Sequence, residues 1–240
     1  MRQMEPLSTG CAPVDDLLGG GFERAAVSQV YGPPAAGKTN LCLSAAVEAA
    51  ADGETAVVVD TEGLSVDRFE QLTEARARAA GVDVDTIARN VVVESAHDFE
   101  EQAEAVRDTA DFAEAAGLIV LDSATGFYRV QRLEEGDDDG GETLRRVAKQ
   151  VTHLLGLARR HDLAVAITNQ VYTDPDGDRA RPLGGYTLEH WSGTVLRLDR
   201  FRGGNRRATV EKHRSRPAGE SARFRITDDG LAGVDDPTSP

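Results

Sequence analysis

Lysine is nearly absent from this chain. Of 27 basic residues only Lys38, Lys149 and Lys212 are lysines, while Asp and Glu number 41 and the formal net charge is −14. A carboxylate-rich surface with few long lysine stems suits a high-salt cytoplasm, the alternative being an ordinary acidic protein. Attraction to nucleic acid would there work over a very short Debye length. Cysteine is equally scarce. Cys11 and Cys42 are too few for a disulfide framework, which points to a reducing cytosol. No apolar run is long enough to span a bilayer and no charged-then-apolar leader marks secretion. A cytoplasmic location with no membrane partner is therefore expected. The five histidines lack metal-site spacing. Trp191 is the single tryptophan, expected in the core or at an interface. The length of 240 residues suits one α/β domain with a sizeable core.

What is present centres on Gly32-Pro-Pro-Ala-Ala-Gly-Lys-Thr39. It fits G-x-x-x-x-G-K-[ST], after a short apolar run (Ala25 to Tyr31) and before a helix-forming one (Leu41 to Ala51). Gly32 and Gly37 allow the tight turn that aims successive N–H groups at phosphate oxygens. The helix N-terminus adds a positive dipole end. Lys38 can reach the β- and γ-phosphates, and the Thr39 hydroxyl can ligate Mg²⁺. A chance match in a Gly-rich chain is the alternative, and the flanking strand and helix argue against it.

Apolar runs alternate with helical stretches. Ala25–Tyr31, Thr55–Asp60, Val91–Val93, Gly117–Asp122 and Leu163–Thr168 read as buried parallel strands. Leu41–Ala51, Val66–Ala80, Phe99–Ala116 and Glu142–His161 read as helices between them. The pattern predicts an α/β fold, a parallel sheet with helices on both faces. Thr194–Leu198, Ala208–Lys212 and Ala222–Ile226 read as short antiparallel strands at the C-terminal end. Arg132 to Gly141 and Tyr172 to Tyr186 read as loops on the ligand-binding side of the sheet.

Asp122 closes an apolar strand, the Walker B arrangement for holding Mg²⁺; capping the next turn is its simpler role. Glu62 also follows a buried strand and could deprotonate an attacking water, or be a solvated turn residue. Asn169-Gln170 ends a third strand, where an amide could sense a γ-phosphate or merely close the strand.

Together with the P-loop, four further stretches resemble the ATPase core of RecA-like recombinases. They are Leu7 to Gly21, Asp60-Thr-Glu-Gly63, Phe127-Tyr-Arg129 and Ile167-Thr-Asn-Gln-Val171, and the resemblance covers residues 7 to 231. It implies a RecA-like P-loop NTPase core, with a mostly parallel twisted sheet flanked by helices and antiparallel strands at its C-terminal end. One core over residues 1–233 and a flexible tail over 234–240 are expected. ATP and Mg²⁺ are implied as cofactors. Gly32, Pro33, Pro34, Ala35, Ala36, Gly37, Lys38, Thr39 and Asn40 would then surround the nucleotide. Thr39 and Asp122 would hold the metal, and Arg68 would lie over the adenine. Glu62 aligns with the catalytic glutamate, acting with Lys38, and Gln170 with the glutamine that couples ATP to the second DNA-binding loop. The two loops above occupy the positions of the first and second DNA-binding loops.

Departures from the family pattern shape the expected role. Six residues precede the core-start motif, so the helical DNA-binding domain of RadA and its Phe-x-x-Ala linker are expected to be missing. Phe22-Glu-Arg-Ala25 and Phe112-Ala-Glu-Ala115 match those letters by coincidence. Five carboxylates from Glu134 to Asp139 make the first loop repel phosphate. The expectation is an accessory recombination and repair factor. It would bind ATP, hydrolyse it weakly, contact single-stranded or branched DNA weakly, and assist the RadA recombinase. The alternatives are a KaiC-like signalling ATPase without a DNA role and an active strand-exchange enzyme.

Positive charge is dense between Arg197 and Arg225. Three readings fit it: a phosphate-binding surface, a face for an acidic partner subunit, or charge paired within the fold. Candidate DNA or partner contacts are Arg129, Arg179, Arg181, Arg202, Arg206, Arg207, Lys212 and Arg214. Lys212-His-Arg214 resembles the Lys-x-Arg that reaches a neighbouring subunit's γ-phosphate in some hexamers of this class.

Overall fold

The computed structural model describes residues 5–128, 140–173 and 180–234. In chain order the elements are α1 (Ala12–Leu18), β1 (Ala26–Tyr31), α2 (Lys38–Ala51), β2 (Thr55–Asp60), α3 (Val66–Ala80) and α4 (Val84–Arg89). There follow β3 (Val91–Ser95), α5 (Phe99–Asp108), β4 (Ala116–Asp122), α6 (Gly140–His161), β5 (Ala164–Asn169), β6 (Val171–Thr173) and β7 (Ala180–Pro182). The last are α7 (Gly185–Trp191), β8 (Thr194–Arg200), β9 (Asn205–Lys212), β10 (Ser221–Thr227) and β11 (Gly230–Gly233).

Nine of these strands form one sheet in the order β11-β10-β9-β8-β1-β5-β4-β2-β3. The central strands β1, β4 and β5 are buried along their whole length, which is why they read as unbroken apolar runs. Alternation along β4 divides the core. Leu118 and Val120 pack with Leu41 and Cys42 of α2, and Ile119 and Leu121 pack with Val147, Val151 and Leu154 of α6. Helices thus cover both faces, and α3 and α4 close one flank through Leu72, Ala77 and Ile87.

The mostly parallel sheet with an antiparallel end is as expected, with one correction. β8 pairs in parallel with β1 and antiparallel with β9, so the change of direction falls on its far side. The helix expected over Phe99–Ala116 stops at Asp108. The Thr109 hydroxyl bonds the Val106 carbonyl at 2.8 Å, a 3-10 turn follows over Thr109–Phe112, and Ala116 already pairs with Thr55. The stretch expected as one loop over Tyr172 to Tyr186 is more ordered: β6 and β7 pair as an antiparallel ribbon, and Gly185 and Tyr186 open α7. Gly140 and Gly141 belong to α6 rather than to a loop. The rest of the first loop, with its five carboxylates, and the tail beyond Val234 lie outside the described residues. Trp191 is not in the core: it is 38% exposed at the end of α7, edge-on to His190.

Candidate functional site

The P-loop leaves β1 and turns against β8. At Gly32 a Cβ would lie 2.2 Å from the Leu198 carbonyl oxygen, so this position admits only glycine. Gly37 has a φ of 103°, and Ala35 is also in the left-handed region at 59°. The first turn of α2 has no side-chain cap, which leaves its N–H groups for an anion. Lys38 is 8% exposed and donates to the carbonyls of Gly32 (3.1 Å) and Pro33 (3.4 Å). Burial lowers its pKa, opposed by the charges of Glu62 and Asp122.

Three strand ends converge on this loop. Asp122, at the end of β4, is 3% exposed. It accepts a hydrogen bond from Thr168 of β5, and the Thr39 hydroxyl lies beside it. Burial raises its pKa, the two hydroxyls lower it, and Glu62 raises it again. A divalent cation would offset the desolvation of this carboxylate. A hydroxyl and a carboxylate are hard oxygen donors, and they fit Mg²⁺ completed by waters and phosphate oxygens. Among the described residues no group of three His, Cys, Asp or Glu could hold a metal by itself.

Glu62 follows β2, and its position is fixed by Asp60. The Asp60 carboxylate accepts from the N–H groups of Glu62 (3.1 Å), Gly63 (3.0 Å) and Leu64 (2.6 Å). Across the site, Gln170 Nε2 donates to Glu62 Oε1 at 2.9 Å. Glu62 and Gln170 are 108 residues apart in the chain, and the fold joins them directly. Gln170 in turn precedes β6, and Leu183, just past β7, donates back to its carbonyl. Sequence reasoning had passed over Asp60 and Thr168. Asp60 carries the mark of a short polar side chain that caps the N–H groups after it. Thr168 is a hydroxyl inside an otherwise apolar strand.

Arg68 is occupied in a way the sequence did not suggest. Its guanidinium donates to Asn40 Oδ1 (2.7 Å), Gln71 Oε1 (3.1 Å) and the carbonyls of Thr227 (2.8 Å), Asp228 (3.2 Å) and Gly230 (3.2 Å). It ties α2 and α3 to the β10–β11 turn. Arg68→Ala is expected to lower stability by about 2 kcal/mol, the scale of charge-assisted hydrogen bonds. Urea denaturation would measure it; unchanged stability would leave Arg68 with a ligand role alone.

The late basic residues are not one stripe. Arg206 stands at the P-loop: a Cβ on Gly37 would lie 3.2 Å from its Cδ and Nε, and that Nε is buried without a partner. Burial lowers its pKa, and Arg200 lowers it further. Arg206 is therefore a neighbour of the P-loop. Arg207 pairs with Asp199 at 3.1 Å and lies over the Phe201 ring. Arg202 is exposed at the turn into β9. Lys212 is six residues further along β9, roughly 20 Å at the rise of a strand, and donates to the Glu189 carbonyl at 2.6 Å. With Arg214, Arg159, His190 and Trp191 it lines a cleft at the end of the sheet opposite the P-loop. Lys212 and Arg214 therefore stand away from the chain's own P-loop. Arg129 and Arg179 lie outside the described residues; Arg181 is in β7.

Comparison with known proteins agrees with this geometry. The Rad51 family model matches residues 2–236. The DNA repair and recombination protein RadB of Halobacterium salinarum is 64% identical over 234 residues, covering 96% of this chain and 97% of its own. RadB of Methanococcoides burtonii is 44% identical over 228 residues, covering 95% and 97%. A solved structure titled as that of the RadB recombinase superposes with a TM-score of 0.80 at 35% identity, covering 95% of this chain and all of that one.

Proposed function

The chain belongs to the Rad51 family, and from that premise we propose that it is an ATP-gated accessory factor of DNA repair and recombination. It binds ATP with Mg²⁺, hydrolyses it slowly, touches single-stranded or branched DNA weakly, and assists the RadA recombinase without exchanging strands itself. The observation that carries this reading is the hydrogen bond from Gln170 to Glu62. Glu62 is the base that would take a proton from the attacking water. Gln170 orients that carboxylate and is also the first residue of the connection into the β6–β7 ribbon. A change at the phosphates that draws Gln170 away from Glu62 would move the root of the ribbon.

The remaining roles follow from the same geometry. Bound Mg²⁺ would neutralise phosphate charge. Lys38 and the N–H groups of the P-loop would hold the phosphates, and Thr39 and Asp122 would supply the oxygen ligands. Weak DNA contact is supported by the basic candidates themselves. Arg206 donates through Nη1 to the Gly204 carbonyl, Arg207 pairs with Asp199, and Lys212 is bonded to a carbonyl. That leaves little of the charge density that backbone binding needs.

The test is ATP turnover in molar KCl with Mg²⁺, for the protein alone, with single-stranded DNA, and with RadA from the same source. Slow turnover that DNA does not stimulate, together with a changed rate of RadA loading on DNA, is expected. Strong DNA-stimulated turnover by the protein alone would make it a recombinase in its own right.

A further inference from the structure

Two carboxylates of the nucleotide site sit at the ends of neighbouring strands. Asp122 closes β4, Glu62 follows β2, and the last rung of the parallel pairing sets Asp60 beside Asp122. Past that rung Thr61 joins the two chains with three hydrogen bonds. Its N–H donates to the Asp122 carbonyl at 2.7 Å. Its hydroxyl oxygen accepts from the Ser123 N–H at 2.8 Å and donates to the Ser123 carbonyl at 3.3 Å. One side chain thus extends the ladder by a residue and satisfies both main-chain groups of Ser123, which is fully buried.

The tie is specific to Thr61. The Ser123 hydroxyl is itself buried without a partner among the described residues. The space around the two hydroxyls is tight, because a Cβ on Gly126 would lie 3.1 Å from each of them. The tie also works against a repulsion. The charge of Glu62 raises the pKa of Asp122, so the two anions act on one another. The Asp60 carboxylate shapes the turn that carries Glu62, and Gln170 holds one of its oxygens. Thr61 is the side chain that binds that turn to the end of β4.

We infer that Thr61 is a positioning residue for hydrolysis, its hydroxyl fixing the distance between the base Glu62 and the metal ligand Asp122. This rests on the reading of Glu62 as the base. A base on one strand and a metal-held phosphate on the next must meet across one water, and a displacement of about 1 Å can cost about a hundredfold in rate. The single proton of the Thr61 hydroxyl is committed to the Ser123 carbonyl, so the side chain has no donor to offer substrate and acts through Glu62.

The test is single-turnover hydrolysis by the full chain at saturating ATP and Mg²⁺ in molar KCl, with ATP affinity measured alongside. Thr61→Val keeps the branched shape and removes the hydroxyl. It should slow hydrolysis by about ten- to a hundredfold while ATP affinity stays within about threefold. Thr61→Ala, a second way of removing the hydroxyl, should match it. Thr61→Ser keeps the hydroxyl and should bring the rate back to within about threefold of the unaltered protein. In the Glu62→Gln background, Thr61→Val should cost less than about threefold, because residues that act as a unit are not additive. A hydroxyl that only stabilised the fold would lower the melting temperature without that coupling. An unchanged rate on losing the hydroxyl, no rescue by serine, an equal cost in both backgrounds, or a loss of ATP affinity that matches the loss of rate would each overturn the inference and leave Glu62 as the base. An undiminished rate in Glu62→Gln alone would instead remove the base, and this inference with it.

Discussion

Lys38→Ala is expected to weaken ATP binding by about a hundredfold or more, the scale for truncating one side of a desolvated, hydrogen-bonded charge pair. The reason is the setting of the side chain. Lys38 is buried, burial lowers its pKa, and among the described residues its only hydrogen bonds are to the carbonyls of Gly32 and Pro33. A desolvated ammonium in that position gains most from an added phosphate. The same setting predicts a small effect on the nucleotide-free protein. Losing two long hydrogen bonds is opposed by relief of the buried charge. Thermal melting separates the two effects. At ATP equal to about 100 times the unaltered protein's Kd, the ligand adds about 2.7 kcal/mol of stability. A hundredfold weaker site at that concentration retains about 0.4 kcal/mol. A variant that melts like the original without ATP, and gains almost nothing with it, is the expected result. An undiminished ATP-induced shift would remove the P-loop from the mechanism.

Glu62→Gln is expected to reduce turnover by roughly 10²- to 10⁴-fold, the range for a positioned general base. ATP affinity should stay within about threefold, because the substitution removes no direct phosphate contact. The substitution is close to isosteric. Asp60 would still cap the turn through the N–H groups of residues 62 to 64, and Gln170 would still find an amide oxygen to bond. Single-turnover measurement suits a slow enzyme and separates hydrolysis from release. If the rate were unaffected, the water would be activated elsewhere, and the Gln170–Glu62 contact would be a structural tie.

Much of this site was legible before the structure. A P-loop dictates strand, loop and helix at once, and strands buried on both faces leave unbroken apolar runs. Asp122, Glu62 and Gln170 could be placed because each ends such a run. What escaped depends on direction and alternation. Thr194 to Arg200 alternates like any half-buried strand, and alternation does not say whether a neighbour runs parallel. The three readings of the late arginines could not be separated, because density along a chain ignores geometry. On β9, Arg206 and Arg207 point to opposite faces, and Lys212 lies at the far end. Helix α4 has one buried apolar residue, Ile87, and no period to detect.

The contact between Gly32 and the Leu198 carbonyl has a consequence for synthesis. β1 is completed on one side by β5 and on the other by β8, so its partners leave the ribosome long after it does. A nascent chain that ends before Leu198 lacks the wall on which its P-loop rests. The nucleotide-binding motif is among the first segments made and among the last to take shape, and until β8 emerges the cell's ATP can do nothing to favour the folded form.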